Sequence, residues 1–386
     1  MKYNRILVLS TDDHLYPAGG AEQAFGNITE RLPHIHFDLI CARLRKGVKT
    51  YEEVKNVHIY RIGFGVPRLD GILLALFGFY KAQTLLRKHH YDVLWSIMAS
   101  YGAFSAVRIK KRYKLPFLLT LQEGDSFEYI YKRVRYVQKQ FSEVFKNADA
   151  VQAISRYLLA WGKEMGYSGT LGKVIPNGVA VDAFTHEYTR NEIETTRASF
   201  QFPKNASVLI TSSRLEMKNG IIDVINALPL LPPHVCFVIC GSGSLENILK
   251  ARVAELGMTS RVRFMGFIDP RKLPVLMKAS DIFIRPSISE GLGNAFLEAM
   301  AARILVIGTQ VGGIPDFLTD TETGFMVDIK NPESIAIVVK NILHLDTTTK
   351  EKIIDRACAM IVEKYNWDLV SSNMEQMFNE VSLCTQ

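Results

Sequence analysis

Cysteine is scarce in this 386-residue chain: five residues, Cys41, Cys236, Cys240, Cys358 and Cys384, odd in number, scattered and without metal-ligand spacing. That pattern excludes a disulfide-stapled scaffold and a cysteine zinc site, and a reducing cytosolic setting is expected. Cys236 and Cys240 fall in an apolar run, residues 235–240, where core packing explains them. Long hydrophobic runs are missing as well. The longest candidate, residues 71–80, is ten residues long, too short to cross a bilayer. Residues 1–10 have too little apolar length for a signal peptide and read as a first β-strand. No Asp-x-Asp motif stands in a suitable loop, since Asp12-Asp13 lacks the spacing, so no metal is expected. No nucleic-acid recognition motif accompanies the basic residues, which leaves nucleic acid out of the expected partners.

What is present is ordinary for a soluble enzyme: 48% hydrophobic and 22% charged residues, in a length that suits two domains. The net charge of +7 is unevenly spread. Residues 1–180 carry 26 Lys+Arg against 15 Asp+Glu, or +11, which leaves 46 − 26 = 20 against 39 − 15 = 24, or −4, for the rest. Two clusters hold much of the excess: Arg108, Lys110, Lys111, Arg112 and Lys114, then Lys132, Arg133, Arg135 and Lys139. The second is interleaved with Tyr129, Tyr131, Tyr136 and Phe141. It reads either as a solvated helix face or as a face resting on an anionic membrane surface.

Apolar strand-like runs alternate with helical patterns. In the first half they cover residues 6–10, 37–41, 57–61, 93–97, 117–121 and 150–154; in the second, 208–212, 235–240, 262–265, 282–285 and 305–308. Amphipathic segments lie between them, such as residues 20–32, 71–88, 223–230, 245–256, 271–278 and 294–303. Buried-looking strands in this order imply two successive doubly wound α/β domains, 1–180 and 181–365. The polar stretch 191–197 places the boundary between residues 181 and 206, and a final helix, about 366–386, is expected to cross back onto the first domain. Ligands of open α/β sheets bind beyond the carboxyl ends of the strands, so two facing sheets would share a central cleft.

The loops after those strands carry the chemistry. Glu290-Gly291-Leu292-Gly293-Asn294-Ala295-Phe296-Leu297-Glu298 sets two carboxylates eight positions apart across a two-glycine turn and a helix start, with Asn294 expected as the cap. Amides at a helix start suit phosphate, and carboxylates suit hydroxyl donors, so the stretch points to a sugar nucleotide. Ser212-Ser213-Arg214-Leu215-Glu216-Met217-Lys218 puts two cations around a turn, where they can clamp a diphosphate and neutralise a departing one. Pro17-Ala18-Gly19-Gly20, Gly241-Ser242-Gly243 and Gly312-Gly313-Ile314-Pro315 are close-approach turns.

With Pro176-Asn177-Gly178-Val179, these motifs in this order resemble the family 4 retaining glycosyltransferases of the GT-B fold, over most of the chain. The resemblance implies that Arg214 and Lys218 bind the donor diphosphate, that Glu290 contacts sugar hydroxyls and that Glu298 contacts the ribose. It further implies donor contacts at Asn294, Ala295, Gly241 and Gly243, with Gly19 and Gly20 near the transferred sugar. Residues 281–287 look like the strand leading into the carboxylate motif, and Tyr365-Asn366-Trp367 like the family's crossover. One departure stands out: many members carry a histidine after the strand at 117–121, and here the loop reads Gln122-Glu123-Gly124-Asp125. Gln122 can donate to a sugar hydroxyl, while Glu123 or Asp125 can act as a base or hold acceptor hydroxyls. His14 is either a substitute for that histidine or a solvated loop residue.

The expected activity is retaining transfer of a hexosyl group from a UDP- or GDP-linked sugar to a hydroxyl acceptor, in surface polysaccharide or glycolipid assembly. A lipid-linked or saccharide acceptor at the inner membrane face would suit the basic first half. A sugar-nucleotide epimerase of the same architecture and a non-catalytic sugar-nucleotide-binding protein are the competing readings.

Overall fold

The computed structural model describes residues 5–15 and 19–384. The first four residues of the expected first strand, and Pro17-Ala18 of the first glycine turn, lie outside the described residues. The chain divides into two compact units, residues 1–178 with 367–386, and residues 179–366. The polar stretch 191–197 is therefore no linker. It folds as a helix inside the second unit, started by a capping box in which Thr189 and Glu192 bond each other's backbone amides.

In the first unit, β1 (Arg5–Leu9), β2 (His36–Ala42), β3 (Tyr51–Val54), β4 (Val57–Ile62), β5 (Val93–Ile97), β6 (Phe117–Leu121), β7 (Ala150–Ala153) and β8 (Leu171–Val174) form one sheet. Its order is β3-β4-β2-β1-β5-β6-β7-β8, parallel except for the β3–β4 pair. The helices are α1 (Gly20–Arg31), α2 (Pro67–Leu86), α3 (Tyr101–Tyr113), α4 (Phe127–Val134), α5 (Gln138–Lys146) and α6 (Arg156–Glu164). The central strands are buried on both faces and read as near-continuous apolar runs, interrupted only by Ser96 in β5 and Thr120 in β6, as a covered parallel sheet requires.

The second unit holds β9 (Ser207–Ser212), β10 (Val235–Cys240), β11 (Val262–Gly266), β12 (Ile282–Ile284), β13 (Leu305–Gly308) and β14 (Phe325–Met326), all parallel, in the order β11-β10-β9-β12-β13-β14. Its helices are α7 (Val181–Thr185), α8 (Arg190–Ser199), α9 (Ile221–Ala227), α10 (Glu246–Glu255), α11 (Leu273–Lys278), α12 (Asn294–Ala301), α13 (Pro332–His344) and α14 (Thr347–Lys364). Both sheets reverse strand order about one strand, β1 in the first and β9 in the second. Those reversals are the switch points where such sheets receive ligands.

The last helix, α15 (Trp367–Leu383), belongs to the first unit. Its Met374, Met377, Phe378 and Val381 enter the core formed by Phe25, Ile28, Phe37 and Trp95. The Phe378 ring lies edge-on to Trp95 at 5.0 Å. Burying each such side chain contributes roughly 1.5–3 kcal/mol, enough to dock the helix. Gly178 explains itself at this seam, since a Cβ there would come within 2.6 Å of the Trp367 ring.

Helix α2 corrects a reading of the sequence. It runs for 20 residues and is long and apolar enough, by length and composition alone, to cross a membrane. Asp70, which breaks up the apolar run in the sequence, is fully buried at the helix start and accepts the backbone N–H groups of Phe64, Gly65 and Val66 at 2.7–2.9 Å. Only a third of the apolar window is buried.

Candidate active site

In the second unit, the motifs after β9, β10, β12 and β13 meet at the carboxyl edge around the switch strand. Glycines let their loops interlock. A Cβ on Gly241 would fall 1.8 Å from the Ser213 carbonyl oxygen, one on Gly220 2.0 Å from that of Pro286, and one on Gly312 1.7 Å from that of Glu290. All three have φ between +56° and +136°, the left-handed region open to glycine. Hydrogen bonds complete the joints: Leu215 N–H donates to Ser242 at 2.9 Å, and Ile288 N–H to the Lys218 carbonyl at 2.6 Å. Gly243 approaches Leu215 in the same way, with a Cβ there meeting backbone at 2.5 Å.

This scaffold sets the cationic loop. Asn219 is buried and its side-chain amide donates to the Arg214 carbonyl at 2.6 Å, which holds the short turn Met217–Asn219 against Arg214. Glu216 accepts from the Ser244 hydroxyl at 2.7 Å, a bond that holds its carboxyl below the usual range and ties this loop to the one after β10. Arg214 is exposed and Lys218 partly so.

The carboxylate motif depends on a residue that sequence reading passed over. Arg285, 6% exposed at the end of β12, donates from Nη2 to Glu290 Oε2 at 2.5 Å. Its Nε reaches Ser287 Oγ at 3.2 Å, and its guanidinium lies 4.6 Å over the Phe296 ring. Glu290 Oε1 accepts the Gly291 N–H at 3.2 Å, so the carboxylate is oriented from both ends. Burial pushes the Glu298 carboxyl up to about 7, and the charge of Arg285 offsets part of that rise. A lone arginine closing the apolar run Ile282-Phe283-Ile284-Arg285 was the available signal, because a buried charge demands a partner.

Asn294 is not the cap expected for α12. Gly293, at φ +99°, takes that place without a side-chain hydrogen bond, and Asn294 and Ala295 form the first turn. The substitution follows from backbone geometry, since only glycine enters that conformation cheaply. A helix start without a side-chain cap presents amides suited to an anion.

The first unit holds the other candidates. Glu123 follows β6 and is 6% exposed; Oε1 accepts the Ala99 N–H at 2.7 Å, while Oε2 is buried and has no hydrogen-bond partner among the described residues. Burial pushes this carboxyl up to about 7. Asn177 donates to Gln122 at 3.3 Å, and Asp125 is partly exposed. Gly19 precedes α1 in extended backbone and Gly20 opens the helix. His14 is half-buried, and among the described residues its Nδ1 has no hydrogen-bond partner. It packs edge-on to Phe25 at 5.3 Å beside Gly26, and burial lowers its pKa. Among the described residues no three His, Cys, Asp or Glu side chains gather where they would hold a metal ion. All five cysteines are free.

Comparison with known proteins follows this division of the chain. Residues 18–183 match the model of Glycosyltransferase Family 4, and residues 192–360 that of Glycosyl transferases group 1. An uncharacterised glycosyltransferase of Methanocaldococcus jannaschii is 32% identical over 208 residues, which is 53% of either chain, so the match spans about half the length of that relative. The lipopolysaccharide core biosynthesis glycosyltransferase LpsE of Rhizobium meliloti is 26% identical over 95% of this chain and 98% of its own. Among solved structures, Anabaena HepE in complex with UDP and glucose has the same fold, with a TM-score of 0.79 at 19% identity, over 98% of this chain and 100% of its own. One family model lies on each folding unit, the solved neighbour shares the architecture, and the chain belongs to the family 4 glycosyltransferases of the GT-B fold.

Proposed function

We propose that this glycosyltransferase moves a sugar from a nucleoside-diphosphate donor, UDP- or GDP-linked, to a hydroxyl acceptor with retention at the anomeric carbon. The observation that carries this reading is the gathering of a cationic loop, two carboxylates and a helix start at the switch point of one sheet. Arg214 and Lys218 bind the diphosphate, Glu290 takes sugar hydroxyls, and Glu298 accepts from the ribose. Asn294 and Ala295 offer the first-turn amides, while Gly241 and Gly243 let backbone approach the donor. The bond from the anomeric carbon to the diphosphate oxygen breaks, and its electron pair stays on that oxygen. The acceptor oxygen bonds to the same carbon on the same face, and its proton passes to the departing phosphate. Negative charge growing on that phosphate is met by the two cations, without a metal.

The first unit is assigned the acceptor, with Gln122, Glu123 and Asp125 toward its hydroxyls. A UDP donor is supported by the solved neighbour that holds UDP and glucose, and surface polysaccharide or glycolipid assembly by the relative named for lipopolysaccharide core biosynthesis. We place the enzyme in the cytoplasm at the inner face of the membrane, acting on a lipid-linked or saccharide acceptor. Support comes from α4 and the residues after it, where Tyr129 and Tyr136 are exposed with Arg133 and Arg135 stacked on their rings. Both family models describe glycosyltransferases, which sets the epimerase aside.

The test is release of nucleoside diphosphate with and without a lipid-linked saccharide, followed by NMR of the new linkage. Acceptor-dependent release and an α-linkage from an α-linked donor are expected. A β-linked product would overturn retention, and release indifferent to every acceptor would overturn transfer.

A further inference from the structure

Helix α2 has apolar residues on the side that faces away from its unit. Leu69, Ile72, Leu76 and Tyr80 follow one stripe along it, Phe77 stands beside them, and Phe64 and Val66 precede them in the chain. Each of these side chains is 44–72% exposed. The opposite side of the helix is tightly docked. A Cβ on Gly71 would meet the Tyr101 ring, and one on Gly78 the Ser105 hydroxyl, both at 2.8 Å. Ser105 also donates to the Leu74 carbonyl at 2.9 Å. A helix apolar all round is expected in a protein core or against lipid, and here the outer half has no protein core to enter.

The rim around the stripe is cationic. Residues 67–114 carry nine Lys and Arg (68, 81, 87, 88, 108, 110, 111, 112, 114) against two acids, Asp70 and Asp92; Lys110 and Lys111 pair with Asp149 and Glu143, which leaves 9 − 2 = 7 cations outside those pairs. Asp70 is fully buried, and Asp92 accepts the Arg5 N–H. Arg108, from α3, donates to the Leu76 carbonyl at 2.8 Å with its guanidinium 4.7 Å over Phe79, so positive charge borders the apolar stripe directly. Helices α2, α3, α5 and α4 pack in that order, which continues this surface toward the basic, tyrosine-rich segment.

We infer that α2 is a membrane-docking helix, lying in the plane of an anionic bilayer with Leu69, Ile72, Leu76, Phe77 and Tyr80 among the acyl chains and the surrounding arginines and lysines at the headgroups. An apolar stripe matches the acyl boundary and a basic rim matches anionic lipid. A second copy of the chain is the poorer occupant, because a symmetric pairing of this face sets one basic rim against another. Spanning is excluded by the docking of Gly71 and Gly78 against α3. The inference rests on the membrane-surface part of the proposed function and not on the transfer reaction.

The experiment is co-flotation of the full chain with vesicles of phosphatidylcholine alone, and of phosphatidylcholine with about a third phosphatidylglycerol. Wild type, the triple variant Ile72→Ser/Leu76→Ser/Phe77→Ser and the charge variant Lys132→Ala/Arg133→Ala/Arg135→Ala are compared, with far-UV circular dichroism as the check on folding. Wild type is expected to float with the anionic vesicles, and the triple variant to bind them at least ~tenfold more weakly. Equal binding by the triple variant, with loss only in the charge variant, overturns the α2 assignment and leaves the membrane reading standing. No flotation of wild type overturns both. A wild-type dimer that the triple variant converts to monomer gives the face to a second copy and overturns the inference.

Discussion

Replacing Lys218 by Ala is expected to lower turnover by about 10²–10³, the effect of removing one donor from a site that stabilises developing negative charge. The loop holding Lys218 is fixed by backbone: its carbonyl accepts from Ile288 at 2.6 Å, and Gly220 fits beneath Pro286 where no Cβ can. Truncating the side chain therefore removes the ammonium and leaves the loop in place. Because that charge holds the donor diphosphate and matters most when the sugar–phosphate bond is breaking, kcat should fall and donor KM should rise, so that kcat/KM falls further than kcat. Single-turnover kinetics on the variant, with circular dichroism to establish its fold, measures this. Turnover within a few-fold of wild type would remove Lys218 from the leaving-group role.

Arg285→Met is expected to destabilise the second unit by about 3 kcal/mol, the low end for breaking a buried ion pair. Glu290 keeps 17% of its side chain exposed, so solvent softens the cost of stranding it. The double variant Arg285→Met/Glu290→Gln should recover much of the loss, because no buried charge is then left unpaired. Urea unfolding has a built-in control here, since all three tryptophans, Trp95, Trp161 and Trp367, belong to the first unit. The transition seen by circular dichroism should move to lower urea, while that seen by tryptophan fluorescence stays put. Equal stability of Arg285→Met and wild type would show that Arg285 does not hold Glu290. The same single variant should lose activity through misplacement of Glu290, and Arg285→Lys should restore part of it, since a lysine can reach the carboxylate but cannot match the flat guanidinium over Phe296.

The strands that built the central sheets were legible because parallel strands buried on both faces are written as near-continuous apolar runs. Residues 93–97, 117–121, 235–240 and 305–308 were bounded to the residue on that signal alone. The strands that were missed sit at sheet edges. β3 reads Tyr-Glu-Glu-Val, β8 carries Gly172 and Lys173, and β14 has two residues, so none shows the apolar run that marks a central strand. The loops of the second unit were found because close backbone approach requires glycine, and glycine pairs are visible in sequence. Arg285 was not found because its role depends on Glu290 and Phe296 converging on it from the loop and helix that follow. The apolar extent of α2 was likewise hidden, since a sequence does not tell that Asp70 turns back to its own backbone.

The most direct measurement is a calorimetric titration of UDP, GDP and ADP into wild type, Arg214→Ala and Glu298→Ala, each above and below neutral pH. One nucleotide should bind well, and both substitutions should weaken it. Burial holds the Glu298 carboxyl protonated up to about 7, and the ionised form is the better acceptor for ribose hydroxyls. Binding to wild type should therefore tighten as the pH rises through about 7, and Glu298→Ala should lose that dependence. Absence of binding by all three nucleotides, or binding unchanged in both variants, would contradict a donor site at the carboxyl edge of the second sheet.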